Sequence, residues 1–201
     1  MGKELEYKLF IPDEMTLLKI LQDENIAARI CEAWQETPMK TTYFDTEENR
    51  FASHHWTLRH RKEGEISIVC VKTPQKESHT RGEWQIEAPG IDENAVIHLI
   101  EAGAPRELLF LYGDGALIPV CGAEFLRHHV MLEFPDGSKA ELAGDCGILH
   151  GKTQRLPFCE IELELYQGMP DQMLALLNSL CQRYGLHEQP RSKFARARAL
   201  K

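Results

Sequence analysis

Apolar and polar residues alternate at the start of the chain. Leu5, Tyr7 and Leu9 fall on one side of an extended segment, and Glu4, Glu6 and Lys8 fall on the other. A period of two marks a half-buried strand, here predicted over Lys3–Phe10. Past Pro12 the period lengthens. Met15, Leu17, Leu18 and Leu21 open an amphipathic stretch that predicts one or two short helices over Asp13–Ala33. Strand signals return at Met39–Thr46, rich in Thr, Tyr and Phe. Trp56–Lys62 and Ile66–Thr73 flank Glu63-Gly64 as a hairpin, and Thr80–Ala88 is a strand that stops at Pro89-Gly90. Asp92 is placed to cap a helix ending before Gly103, and Pro105–Leu111 adds a helical turn. Strands follow at Pro119–Phe134, Ser138–Asp145, Gly147–Lys152 and Pro157–Gln167, with Pro135-Asp136-Gly137 as a turn. Asp171–Tyr184 reads as a helix with Met173, Leu174, Leu176, Leu177 and Leu180 on its apolar side, and Ser192–Leu200 as a short basic one. Strands joined mostly by hairpins predict an α+β protein built on an antiparallel sheet or barrel, not a doubly wound parallel fold. No repeat or linker divides the chain, so residues 1–201 are read as one domain.

Charge changes the picture more than composition does. The 23 basic against 31 acidic residues give a net charge of −8, which argues against a protein that coats nucleic acid. No apolar run reaches the length of a membrane helix and no signal-peptide core opens the chain, so a cytoplasmic location is expected. None of the six cysteines forms a C-x-x-C pair, and reduced thiols are expected. No P-loop string occurs, which removes a Walker-type ATPase.

The charges lie in same-face rows. Glu160, Glu162 and Glu164 share a strand face opposite Ile161, Leu163 and Leu165. Arg59 and Arg61 share another, and Arg81 pairs in parity with Glu83. Each row alone is what a solvated strand face would carry. Two converging acidic rows need a counterion, however, and carboxylates are the ligands Mg²⁺ and Mn²⁺ prefer. Arginine forks fit phosphate oxygens. A closed barrel with the charged faces inward and the apolar faces outward, under helices, would use both.

The series of motifs resembles the CYTH superfamily, the triphosphate tunnel metalloenzymes. Glu4-x-Glu6-x-Lys8 looks like its N-terminal signature. Tyr43-Phe44-Asp45-Thr46, Leu58-Arg59-His60-Arg61, Lys72, Arg81-Gly82-Glu83 and Phe125-Leu126-Arg127 follow in the family's order. Glu141 to Asp145 with Gly147, the run Cys159 to Leu165, and Ser192-Lys193-Phe194-Ala195-Arg196 complete it. The resemblance implies an eight-stranded antiparallel closed barrel with flanking helices, and is nearest to the bacterial inorganic triphosphatase branch. The chain shows no added C-terminal helical domain, so a single CYTH domain over 1–201 is the expectation. It also implies that Glu4, Glu6, Asp145, Glu160 and Glu162 bind Mg²⁺ or Mn²⁺. Lys8, Arg59, Arg61, Lys72, Arg127 and Lys193 would hold phosphate oxygens, with Arg81 and Arg196 as further members. Glu4, Glu6, Lys8 and Lys193 would carry the catalysis. Glu83, Glu141 and Glu164 face inward by parity with open roles. Phe125 stands where many relatives have a second basic residue.

The expected activity is metal-dependent hydrolysis of inorganic triphosphate. Thiamine or nucleoside triphosphate hydrolysis, adenylate cyclisation, and binding without turnover are the alternatives. A triphosphate-bearing small molecule is the expected partner, with neither nucleic acid nor membrane, and a homodimer is compatible. Adjacent strand residues diverge, so His54-His55 and His128-His129 are read as ordinary histidines. Trp34, Trp56 and Trp84 are read as packing residues, Trp56 being the one nearest the arginine strand.

Overall fold

A computed structural model of the chain describes residues 4–76 and 79–200, except for the side chain of Glu4. In chain order the elements are β1 (Glu4–Ile11), α1 (Glu14–Leu21), α2 (Glu24–Ala27), β2 (Gln35–Thr46), α3 (Arg50–Ser53), β3 (Thr57–Glu63), β4 (Ile66–Pro74) and β5 (Thr80–Glu87). They continue as α4 (Glu93–Glu101), α5 (Glu107–Tyr112), β6 (Leu117–Glu133), β7 (Lys139–His150), β8 (Arg155–Gln167), α6 (Asp171–Tyr184), β9 (His187–Glu188) and α7 (Lys193–Ala199). The sheet runs β5-β4-β3-β2-β6-β7-β8-β1 and closes through β1 and β5, making an eight-stranded antiparallel barrel. The closing seam is short, pairing Glu4 with Arg81 and Leu5 with Thr80. β9 lies against the other end of β1 at Leu9 and Phe10.

The barrel is inverted in polarity, and its apolar side is outside. Leu9, Ile11, Leu142, Ile161 and Leu163 pack outward against Leu17, Ile20 and Leu21 of α1 and Met173, Leu176 and Leu180 of α6. On the opposite flank, Leu58, Val69 and Val71 pack against Phe51, Val96, Leu99, Leu108 and Leu111 of α3, α4 and α5. Trp56 and Trp84 join this second cluster, as packing residues, while Trp34 is 37% exposed. A third cluster lies within the barrel at one end. There α7 brings Ala197, Phe194 and Leu200 against Met39, Tyr43, Phe125 and Phe158. That end is plugged.

Local signals account for most boundaries. Asp13, Asp92 and Ser192 cap α1, α4 and α7 by accepting from the third backbone N–H beyond them. Gly64 takes a φ of +57° at the β3–β4 turn, and Gly185 takes +66° behind α6. The expected break in the strand before Gly147 is absent, because β7 runs unbroken from Lys139 to His150. Gly147 is a close-approach glycine. A Cβ there would lie 2.2 Å from the Glu124 carbonyl oxygen on β6. The expectation of reduced thiols is also corrected at one pair. Cys146 and Cys159 oppose each other on β7 and β8 and form a disulfide, while Cys31, Cys70, Cys121 and Cys181 are free. Among the described residues no helix is long and apolar enough to cross a membrane.

Candidate active site

The barrel encloses a cavity of about 1040 Å³. Glu6 and Lys8 of β1, Arg59 and Arg61 of β3, Lys72 of β4, Arg81 and Glu83 of β5, Arg127 of β6, Glu162 and Glu164 of β8 and Lys193 of α7 line it. Strand parity, read from the sequence, thus brings both charged sets to one space. Glu4 is paired by its backbone to Arg81, and its side chain lies outside the described residues. Asp145, Glu160 and Arg196 do not line the cavity, and the two carboxylates are fully buried beneath it.

Register sets which charges meet. Lys8 stands opposite Glu162, and Glu6 stands opposite Glu164, which in turn stands opposite Glu141. Asp145 stands between Arg127 and Glu160. At this deeper level the charges are compensated. The Lys193 ammonium is 2.7 Å from Asp145 and 2.8 Å from Glu162, and it also pairs with Glu160. Arg127 grips both Asp145 oxygens at 2.8 and 2.7 Å and reaches Glu162 at 2.6 Å. Arg196 pairs with the far oxygen of Glu160. Burial alone would weaken these charges. Asp145, Glu160 and Glu162 nevertheless hold the Lys193 pKa well up, and Asp145 and Glu162 hold Arg127 further up. Burial pushes Glu162 up, but Lys193, Arg127 and Lys8 outweigh it and leave its carboxyl well below the usual range. Glu160 stays raised by burial.

Phe125 lies beside two of the site's cations. Its ring lies 5.0 Å from the Lys193 ammonium and 5.8 Å from the Arg127 guanidinium. Phe158 contacts Phe125 edge-on and faces Lys193 at 5.6 Å and Arg196 at 5.3 Å. Aromatic faces hold these cations in place without adding charge.

Elsewhere on the cavity wall, one cation and one carboxylate are only partly compensated. Arg61 is lowered from its ordinary value by burial and then by Arg59, with Arg127 adding to the repulsion. It pairs with Glu63, yet among the described residues its buried Nε finds no hydrogen-bond partner. Across the cavity, burial and then Glu6 push the Glu164 carboxyl up to about 7, with Glu83 and Glu141 adding to the repulsion. The site has repelling cations on one wall and repelling carboxylates on the other.

The oxygen ligands of Asp145, Glu160 and Glu162 lie within 4.8 Å of one another, so this buried acidic cluster could bind a metal ion. Lys193 already bonds all three, and a metal there requires Lys193 to swing away. The pair Glu6 and Glu164 has hard oxygen donors that are only partly compensated, Lys8 bonding Glu6 at 2.5 Å and Lys72 acting on Glu164 without outweighing burial and Glu6. Glu83 is engaged by cations instead, with Arg59 at 3.1 Å and Lys72 at 3.2 Å.

Two residues have roles the sequence reading did not assign. Asp45, fully buried, accepts from the Phe51 and Ala52 backbone at 2.9 and 3.2 Å and from Arg198 at 3.0 Å. It ties α3 and α7 to β2. His129, partly buried, lines the cavity and contacts Glu141 and Thr37. Parity with Arg127, two residues earlier, is the signal that places it on the inner face.

The chain matches the CYTH domain over residues 2–197 and belongs to that family. Among solved structures it is similar to an adenylyl cyclase-named protein of Hippeastrum, described as having a dominant triphosphatase activity. The TM-score is 0.62 and the identity 19%, over 100% of this chain and 97% of that one. It is also similar to the PH1819 protein of Pyrococcus horikoshii, with a TM-score of 0.56 and 16% identity over 96% of each chain. An adenylate cyclase-named protein of Bacillus halodurans gives a TM-score of 0.56 at 13% identity, again over 96% of each. At these identities the likeness concerns the fold.

Proposed function

We propose that this protein is a divalent-metal-dependent triphosphatase that cleaves inorganic triphosphate to pyrophosphate and phosphate. The observation that carries the reading is the paired imbalance inside the barrel. On one wall Arg61 is disfavoured by burial and by its neighbours Arg59 and Arg127, and on the other Glu164 is disfavoured by burial and by Glu6. A phosphate chain with a bound cation relieves both. The family membership and the triphosphatase activity described for the Hippeastrum protein support it.

In this reading Lys8, Arg59, Arg61, Lys72 and Arg127 bind phosphate oxygens, with Arg81 at the seam. Arg127 and Lys193 also hold Asp145, Glu160 and Glu162 in place. Arg196 anchors Glu160 from behind. Glu4 and Glu6, with Glu164 opposite, would hold Mg²⁺ or Mn²⁺, and Glu162 lies one rung deeper. Asp145 and Glu160 join the metal set where Lys193 releases them. Bound there, the metal supplies charge neutralisation and polarisation of phosphate oxygens. The remaining work is positioning and stabilising charge on the leaving pyrophosphate, which buried arginines do without reorganising.

One observation favours an organic triphosphate as a second reading. Trp84 borders both the main cavity and a separate depression of about 400 Å³ lined by Trp56, Phe110 and Leu111. The test is phosphate release from tripolyphosphate, thiamine triphosphate and ATP, with Mg²⁺ or Mn²⁺ and with EDTA. Metal-dependent release, fastest from tripolyphosphate and reduced about a hundredfold or more in Glu6→Gln, is the expected result. Preference for an organic substrate selects the second reading. Release that persists in EDTA rejects the metal assignment.

A further inference from the structure

His129 and Glu141 sit on the cavity wall outside the phosphate and metal groups assigned above. His129 is on β6, on the same face as Arg127, which places the two side chains about 6–7 Å apart along the strand. Its Nδ1 is 3.3 Å from Glu141 Oε2 on β7, and its Nε2 is 3.3 Å from Thr37 Oγ1 on β2. In the tautomer where Nδ1 donates to the Glu141 carboxylate, Nε2 presents its lone pair. Thr37 also lines the cavity, so Nε2 and the hydroxyl it contacts both belong to residues of the cavity wall. The charged groups around it are Arg127 on its own strand, Glu141 on β7, and Glu162 and Glu164 on β8. Arg127 approaches Glu141 at 4.0 Å and completes a chain from the phosphate grip to the histidine. A carboxylate that fixes one imidazole nitrogen while the other faces a reaction space is the arrangement of an oriented base.

We propose that His129, oriented by Glu141, is the general base of the hydrolysis; the inference rests on the triphosphatase reading. The water oxygen forms a bond to the terminal phosphorus as the bond from that phosphorus to its bridging oxygen breaks. The water proton passes to Nε2 of His129, and pyrophosphate leaves with the electron pair against the arginines. His129 then gives the proton to solvent, so triphosphate and water become pyrophosphate, phosphate and a proton. Glu141 acts through His129 and is a positioning residue.

The experiment measures kcat and KM for tripolyphosphate across pH in wild type, His129→Gln, His129→Ala and Glu141→Gln. Thermal melts and tripolyphosphate binding in EDTA accompany them. The side chains of His129 and Glu141 are 21% and 19% exposed, and neither belongs to the apolar clusters. The expected result is a loss of kcat of about 10²–10³-fold in both histidine variants with KM within about threefold. The acid limb of the kcat profile disappears with the imidazole, and added imidazole restores part of kcat to His129→Ala. Glu141→Gln loses about tenfold in kcat and moves that limb. Wild-type activity with an unchanged kcat and pH profile in His129→Gln overturns the inference and leaves the triphosphatase reading standing. Equal losses of kcat and tripolyphosphate binding, with no rescue by imidazole, overturn it as well. No phosphate release by wild type from any triphosphate overturns the reading and the inference together.

Discussion

Glu164 shows how a single carboxyl reports what its site lacks. Its folded pKa is about 7 against an ordinary 4.5, chiefly from burial and then from Glu6 opposite. Between these values the folded chain holds a proton that the unfolded chain has released. Stability therefore falls as pH rises from 4.5 through 7 and stays reduced above it. Glu164→Gln removes the penalty. In EDTA the variant is expected to match wild type near pH 4 and exceed it by roughly 1–3 kcal/mol near pH 8. Urea titrations across that range measure this, and a difference that does not vary with pH rejects the assignment. Glu162, one rung deeper, has the opposite sign. Its depressed pKa adds stability that is fully present above the ordinary carboxyl value and is lost as pH falls from there through the lower folded value. Parity in the sequence turned both residues inward. Only the register, with Lys8 opposite Glu162 and Glu6 opposite Glu164, separates a compensated carboxylate from an uncompensated one.

At the scale of elements, α7 does the most with the fewest residues. It plugs one end of the barrel through Ala197 and Phe194, and its first residue delivers the ammonium that joins three buried carboxylates. Lys193→Met keeps much of the side chain's bulk and removes that charge. Removing one partner of a buried ionic cluster costs about 3–5 kcal/mol, so a marked fall in Tm is expected in EDTA. Mg²⁺ or Mn²⁺ then has an unobstructed oxygen site, and the expected outcome is recovery of Tm with added metal beyond that of wild type. A fall in Tm without metal-dependent recovery shows that the three carboxylates do not form a cation site. The helix itself was legible from Ser192 and the basic tail, as was α6 from its apolar stripe and Gly185. The hairpin around Gly64 was legible for the same local reason. Elements held by distant groups were not. α3 has four residues and rests on the buried Asp45 carboxylate, and β9 has two and exists by pairing with β1. The sequence pattern divides β7 before Gly147, whereas the strand runs through it and the close backbone of β6 demands the glycine.

The whole molecule carries a net charge of −8 and yet encloses a site for a polyanion. The contradiction disappears once the field inside the barrel is separated from the total. Low-dielectric walls focus the charge of Arg59, Arg61, Lys72 and Arg127 into the cavity, and much of the acidic excess lies outside it. Folding has brought these cations together at a cost, visible in the lowered Arg61 and its unpartnered Nε. An anion that binds the folded state alone returns that energy. Tripolyphosphate at about a hundred times its Kd should add about 2.7 kcal/mol to stability. For a chain of this size that is a rise of roughly 5–10 °C in Tm. The measurement is a thermal melt in EDTA, where turnover does not consume the ligand, with orthophosphate as the control. A smaller rise with orthophosphate is expected, because one phosphate cannot span the cations of β3, β4 and β6. Replacing Arg59 and Arg61 together by Ala should abolish the rise while leaving the outer apolar clusters untouched. High salt should reduce it only in part, since buried pairs are screened much less than exposed ones. An equal rise in the double variant would place the anion on the protein's surface, and no rise in wild type would leave the converging cations without a ligand of this class.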